Sequence, residues 1–432
     1  MPESEIDMPP RDVNSPPSGV NPPSRGVNPP PRGIALLLAS LAALGPFSID
    51  TYLPSFQDIG QSLNATPIEV QQTLSAYLLP FAIMALWHGA ISDAFGRRRV
   101  ILVSLALFGL ALAGCLFATR IEHLWVLRAL QGMSAGAGIV IGRAIVRDLY
   151  DGAQAQRLMS HITMMFALAP AIAPVIGGRL QYWFGWRSVF AFLVLMTLAL
   201  LLACWRMLPE TLAPERRQSL HPGYLARTYW KVLTSPAFLL ACGGLAFNFA
   251  GFFIYVMSAP VFLMGHLAVP ETGFLWLFGP AMAGLMSGAW LAGRFAGKLT
   301  LRQTIARGYL VMGMAALGNV GLNLWLPPSL PLSVIPIFVY TFGMSLAMPC
   351  ITLLALDPFP EQRGLAASCQ LFLQAGSNGL IAGILAPLLW GSTLTLAYGM
   401  GVLLLLGATS SWLHYRLTRD KTPAQALTRP PV

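Results

Sequence analysis

Residues 71–119 read QQTLSAYLLPFAIMALWHGAISDAFGRRRVILVSLALFGLALAGCLFAT. Two apolar runs, 71–91 and 100–119, flank a short polar segment that ends in Arg97, Arg98 and Arg99. Each run has about the 20 residues that a helix needs to cross a hydrocarbon core roughly 30 Å thick. The stretch predicts two membrane-spanning helices joined by a tight basic turn.

Composition extends this reading to the whole chain. Of 432 residues, 55% are hydrophobic and only 10% are charged, where a soluble globular chain has roughly 25% charged. Mean hydropathy is +0.63. So few charges cannot dress the exterior of a water-soluble fold, although the length alone would suit two or three soluble domains. The formal net charge of +10 would suggest nucleic acid in a soluble chain. Here the placement of the charges matters more than their sum, and no nucleic-acid partner is expected. Cys115, Cys204, Cys242, Cys350 and Cys369 lie inside apolar stretches with no CxxC pair. No metal site or disulfide framework is expected from them.

Twelve apolar stretches can be drawn: 34–54, 71–91, 100–119, 124–146, 159–178, 188–208, 237–257, 273–296, 305–325, 332–353, 367–389 and 392–413. The expected fold is an all-α membrane protein of twelve transmembrane helices in two six-helix bundles. The bundles are 34–208 and 237–416, joined by a central cytoplasmic loop, 209–236, that carries Arg216, Arg217, Arg227 and Lys231. The only other long connection is an outer loop, 55–70. Residues 1–33 have no apolar run, so no cleavable signal peptide is expected. They hold a degenerate repeat, VNSPPSG from Val13, VNPPSRG from Val20 and VNPPPRG from Val27. It is too rich in proline for a helix and reads as a disordered cytoplasmic tail, either a partner-binding extended segment or a dispensable extension. Residues 417–432 form a second cytoplasmic tail. One side of the predicted topology holds 22 of the 27 Lys and Arg, and the other holds Arg120, Arg179 and Arg187. The positive-inside bias places both termini in the cytoplasm.

The basic turn reads Gly89-Ala90-Ile91-Ser92-Asp93-Ala94-Phe95-Gly96-Arg97-Arg98-Arg99. Gly89 lets another helix approach closely. Asp93 is an anion placed to meet a helix N-terminus across the bundle interface. Gly96 allows a tight turn, and the arginines face cytoplasm and anionic lipid. The segment resembles the signature loop between helices 2 and 3 of the major facilitator superfamily, with Ala94 where that family usually has a basic residue. The fourth span carries Arg128, Gln131 and Gly132, then Arg143, Arg147 and Asp148, a pattern similar to that of the superfamily's proton-driven exporters. The resemblance implies that Asp148 joins Arg97 and Asp93 at an inner gate. The fifth span contains Ala173-Pro174-Val175-Ile176-Gly177-Gly178, which resembles the motif of the antiporter branch. Pro170 and Pro174 should kink this helix, and Gly177 and Gly178 permit close packing. The first span ends in Asp50-Thr51-Tyr52-Leu53-Pro54, and the sixth is followed by Leu208-Pro209-Glu210-Thr211-Leu212. These narrow the resemblance to the Bcr/CflA drug-resistance exporters. It implies proton-coupled efflux of small, largely apolar drugs or antibiotics across the bacterial inner membrane, by alternating access. It also implies a monomer whose partners are drug, protons and lipid bilayer, with no cofactor or metal. The alternative is a proton-coupled exporter of a metabolite such as a sugar or amino acid.

Of the 17 acidic residues, Asp50 alone lies within an apolar span. A carboxylate there costs roughly 2.5–3.5 kcal/mol on insertion scales, so it needs a partner or a task. Asp50 and Arg128 each sit four residues from the outer end of their predicted spans. At about 1.5 Å per residue both lie about 6 Å inside the boundary. They are expected to be level and paired, as the proton-coupling site or as a structural ion pair at the rim. Gln370, Gln374 and Asn378 form one polar stripe on the eleventh span, which either lines a cavity or ties helices together. Asn248 lies among Phe247, Phe249, Phe252, Phe253, Tyr255 and Met257, a surface that suits bulky apolar ligands or lipid. Tyr52, Gln131, Asn248 and Tyr255 join that stripe as candidates for the substrate cavity. His88 and His161 are secondary proton-carrying candidates. A membrane-embedded enzyme would need a catalytic constellation, and no HExxH or paired intramembrane aspartates occur. A sensor or scaffold would need a soluble output module, for which both tails are too short.

Overall fold

The computed structural model describes residues 33–150, 152–217, 221–295, 298–359 and 363–419. Within helix 152–184 several side chains, that of His161 among them, lie outside the described set, as do the tail residues 1–32 and 420–432. The long helices are α1 (Ile34–Asp50), α2 (Pro67–Phe95), α3 (Arg97–Leu116), α4 (Ile121–Leu149), α5 (Gly152–Phe184) and α6 (Trp186–Met207). They continue with α7 (Pro236–Met257), α8 (Leu275–Phe295), α9 (Leu301–Trp325), α10 (Ile335–Leu356), α11 (Arg363–Leu380) and α12 (Thr393–Arg419). Among the described residues, 11 helices are long and apolar enough to cross a membrane. The 33-residue α5 completes the expected order.

Local signals explain the boundaries. Thr66 and Glu69 form a reciprocal capping box at the start of α2, and Thr300 and Gln303 do the same for α9. Such boxes satisfy backbone N–H groups that a helix start leaves without partners. Gly96 alone separates α2 from α3, at φ +95°. That left-handed backbone is why the basic turn can be so tight. Large apolar side chains point outward along the helices, including Phe117, Leu317 and Trp325 at 80%, 77% and 86% exposure. In water that surface would be untenable; in lipid it is the expected exterior.

Helix pairing repeats with an offset of six. In the first half α1 packs on α5 and α6, α2 on α4, and α3 on α4 and α6. In the second half α7 packs on α11 and α12, α8 on α10, and α9 on α10 and α12. The halves meet through α2 with α11 and α5 with α8. Between them, at the end that bears Arg97, a cleft of about 850 Å³ opens, lined from both halves by Asp93, Arg97, Arg143, Arg147, Ser368 and Leu371.

Three expectations need correction. The first helix ends at Asp50, not at residue 54. Residues 55–70 are not simply a loop, because Phe56–Leu63 forms a short helix. Its Phe56, Ile59 and Leu63 are buried while Gln57 and Gln61 are exposed, so it lies as an amphipathic cap on the bundle. The central loop likewise contains a helix, Pro222–Leu233. Leu225, Tyr229 and Val232 turn inward, and the Tyr229 hydroxyl donates to the Leu86 carbonyl of α2 at 2.5 Å.

Candidate functional site

The site begins where α4 crosses α2. Gly132 allows the crossing, since a Cβ there would overlap the Tyr77 carbonyl. The close approach brings Arg128 between two aromatic rings, Tyr77 at 4.6 Å and Tyr52 at 4.9 Å from the guanidinium carbon. Arg128 is completely buried. Its Nη1 donates to Gln131 Oε1 at 2.9 Å and to the Ser48 carbonyl at 3.3 Å, and Gln131 Nε2 donates to Cys115 Sγ at 3.2 Å. Among the described residues, Arg128 Nε and Nη2 have no hydrogen-bond partner. Cation–π contact offsets part of the cost of burying this charge.

Asp50 is also buried, at 4% exposure, and it is the last residue of α1. It does not form the expected ion pair: among the described residues, Asp50 and Arg128 are not within salt-bridge distance. The physical reason is the early end of α1. A helix terminus leaves carbonyls without intrahelical donors, and the Ser48 carbonyl takes the guanidinium while Phe47 O accepts from Thr51 Oγ1 at 2.6 Å. The level depth of the two residues is retained, because Arg128 reaches the turn that contains Asp50. The Tyr77 hydroxyl lies within electrostatic reach of both. Tyr77 was not among the expected site residues; its spacing from Arg128 is set by a helix crossing that the sequence alone does not reveal.

A second cluster sits at the basic turn. Arg97 joins Asp93 at 2.5 Å and Asp148 at 3.4 Å, and its Nη1 donates to Ser92 Oγ at 2.5 Å. Thr211 Oγ1 donates to Asp148 Oδ2 at 2.9 Å. Glu210 accepts from the backbone N–H of Arg97 at 2.9 Å and of Arg98 at 3.2 Å. A carboxylate at the first turn of α3 is favourably placed against the helix dipole. Asp93 therefore meets Arg97 within its own loop rather than a helix N-terminus in the other half. It borders the cleft that faces the start of α11 through Gly364 and Leu365. Glu210 and Thr211 belong to the Leu208–Leu212 segment, but nothing in its residue types marked them as members of this cluster. Gly89 packs against Val140 of α4.

On α5, the two adjacent glycines serve different neighbours. A Cβ at Gly177 would overlap the Thr51 carbonyl, next to Asp50, whereas one at Gly178 would overlap the Glu271 carbonyl in the other half. Pro170 and Pro174 both lie inside this helix.

The profile of the Major Facilitator Superfamily matches residues 36–382. The chain belongs to this superfamily. It is 31% identical over 90% of its length, and 96% of the relative's, to an uncharacterized MFS-type transporter, YdgK, of Bacillus subtilis (strain 168). Multidrug resistance protein D of Escherichia coli (strain K12) is 29% identical, over 82% of this chain and 89% of that protein. A chloramphenicol resistance protein of Pseudomonas aeruginosa is 29% identical, over 82% and 84%. The resemblance to Bcr/CflA exporters agrees with these relatives. The fold matches a bacterial homolog of the human lysosomal transporter Spinster in an inward-facing, occupied conformation, with TM-score 0.68 and 16% identity over 92% of this chain and 100% of that one.

Within this Major Facilitator Superfamily fold, four cavity candidates are packed inside a bundle instead. Tyr52 and Gln131 belong to the Arg128 cage, and the Tyr52 hydroxyl is 3.1 Å from Thr73 Oγ1. Asn248 Nδ2 donates to the Tyr309 hydroxyl at 2.8 Å, and the Tyr340 hydroxyl donates to the Asn248 carbonyl at 3.0 Å. The Tyr255 hydroxyl accepts from Asn319 Nδ2 at 2.7 Å. These polar groups tie α7 to α9 and α10, because a buried amide or hydroxyl needs a partner more than it needs a cavity. Gln370, Gln374 and Asn378 are half-buried on α11, and Gln374 Nε2 is 3.4 Å from Asn378 Oδ1. Gln374 and Asn378 continue, at helical spacing, the face on which Leu371 lines the cleft. His88 is buried beside Gly136 and borders a lateral apolar groove of about 500 Å³ with Met84, Leu127, Leu130 and Met133.

Proposed function

We propose that this superfamily member exports small, largely apolar drugs in exchange for protons across the bacterial inner membrane. The supporting observation is the coexistence of a buried carboxyl, Asp50, and a buried guanidinium, Arg128, in one half without an ion pair between them. An unpaired, proton-loaded Asp50 fits the geometry seen; an ionised Asp50 would be drawn to the free nitrogens of Arg128. Two arrangements of one pair, differing in protonation, are what coupling needs, since each ligand must favour a different state. The cleft that opens at the Arg97 end is the drug-receiving side, with Gln374 and Asn378 further along the α11 face that carries Leu371. Tyr52, Gln131, Asn248 and Tyr255 are packed inside the two bundles and do not touch drug in this reading. The names of the chloramphenicol and multidrug resistance relatives support the substrate class.

The test is a susceptibility panel, chloramphenicol included, in a pump-deficient bacterial host. Expression should lower susceptibility to at least one apolar antibiotic. No shift for any drug, with membrane insertion verified, would favour a metabolite exporter.

We place the Arg97 end and both termini in the cytoplasm, and the chain acts as a monomer without catalysing a reaction. Ser62 and Arg227 are exposed on the cap helix and the linker helix. Single cysteines at these positions should label from opposite sides of intact cells, Ser62→Cys from outside. Labelling from one side would overturn the topology.

Asp93, Arg97 and Asp148 form the inner gate, held in shape by Gly89 and Gly96. Asp93→Asn removes one anion from Arg97 and leaves Asp148 in place. Transport should fall roughly tenfold, as expected for losing a partly buried charged contact, with drug affinity in detergent nearly unchanged. Lost affinity with normal turnover would show that Asp93 contacts drug.

A further inference from the structure

At the end opposite Arg97, the halves are joined by side-chain-to-backbone hydrogen bonds. Gln71 Nε2 donates to the Met257 carbonyl at 3.2 Å and to the Ala382 carbonyl at 3.0 Å. Gln72 Nε2 donates to the Gly383 carbonyl at 2.8 Å, and Ser75 Oγ to the Gly379 carbonyl at 2.9 Å. The three donors share one face of α2, and all four acceptors belong to the second half. Gln71 is fully buried and Ser75 nearly so.

The acceptors lie where the second half's helices are irregular. α11 passes into a π-helical segment at Ile381–Leu385, and the wider turn loosens carbonyls from the regular ladder. α7 ends at Met257, so its last carbonyls lack intrahelical donors. Gln71 bridges both irregularities. Close approach also needs two glycines: a Cβ at Gly379 would overlap Leu79, and one at Gly383 would overlap Ser75 Oγ.

We propose that Gln71, Gln72 and Ser75 are a latch that holds this end closed and sets the balance between the two open forms. The proposal rests on the alternating-access reading above. Opening this end breaks all four bonds, but water can then satisfy the same amides and carbonyls, so the latch is reversible. An apolar seal would instead resist hydration. Gln71→Leu penalises only the closed form, in which the Met257 and Ala382 carbonyls would be buried without donors.

The experiment measures distance, not transport. Spin labels at Glu122 and Leu326, exposed at this end of the two halves, are placed in a Cys350→Ser background, the other four cysteines being buried. In purified, drug-free protein the short-distance population should dominate. Gln71→Leu should raise the long-distance population roughly tenfold, as expected for two lost buried hydrogen bonds, and Ser75→Ala by a smaller factor. Gln61→Ala, on the exposed face of the cap helix, should leave the distances unchanged. An unchanged distribution in folded Gln71→Leu overturns the latch. If Gln71→Leu does not fold, Gln72→Ala takes its place: a raised long-distance population supports the latch and an unchanged one overturns it. The distances are read without drug, so a failure of the drug-export reading leaves this result distinct.

Discussion

Inverted vesicles carrying Asp50→Asn will show no drug-induced collapse of an imposed pH gradient beyond that of empty vesicles, although the protein inserts and folds. Asn keeps the shape and hydrogen-bonding reach of the protonated acid but can neither take up nor release a proton. The buried position of Asp50 leaves little room for solvent to supply a substitute carrier. Asp50→Glu should keep partial activity, since the carboxyl survives one methylene displaced. Arg128→Ala should change the pH dependence of drug binding, because it removes the charge that distinguishes the two forms of Asp50. Wild-type-sized proton flux in Asp50→Asn would move the coupling site elsewhere, with His88 the next residue to test.

Gly177→Ala is the second large effect. Its Cβ would meet the Thr51 carbonyl, and backbone has no rotamer by which to yield. Overpacking of this kind costs about 1–3 kcal/mol, visible as a lower unfolding temperature in detergent. Efflux should fall further than stability, because the displaced Thr51 directly follows Asp50. Gly178→Ala pushes instead on Glu271 in the other half. That contact lies between the halves, which can part slightly to relieve it, so transport should fall while the unfolding temperature drops by less than in Gly177→Ala. Equal losses of stability in the two variants would contradict this division between adjacent glycines.

The twelve helices were legible because a bilayer forces the same answer on every segment: apolar runs of spanning length, with basic residues gathered on one side. The inner cluster was partly legible for the same reason, since Gly96 and Arg97 sit in a loop whose length and charge are read directly. What was hidden depends on where helices stop and cross. The Asp50–Arg128 pair rested on a first helix reaching residue 54, and its end at Asp50 handed the guanidinium to a free carbonyl. The Phe56–Leu63 helix carried a readable signal in Phe56, Ile59 and Leu63, obscured by the polar residues between them. Asn248 and Tyr255 could have faced a cavity or a neighbouring helix. The decision lay with Tyr309, Tyr340 and Asn319, which are 61, 92 and 64 residues further along the chain. No local pattern could name them.

Glu210 and Thr211 lie past Met207, the last residue of α6, yet they complete the Arg97 cluster. This fixes how the protein can be divided or recombined. A first fragment ending at Met207 would contain all six of its helices but leave the first turn of α3 uncapped and Asp148 short of a donor. A fragment ending at Arg217 would carry both contacts with it. Chimaeras between relatives obey the same boundary: a junction at the close of the sixth helix pairs one parent's Glu210 with the other parent's basic turn, whereas a junction beyond Leu212 keeps each turn with the carboxylate it evolved beside.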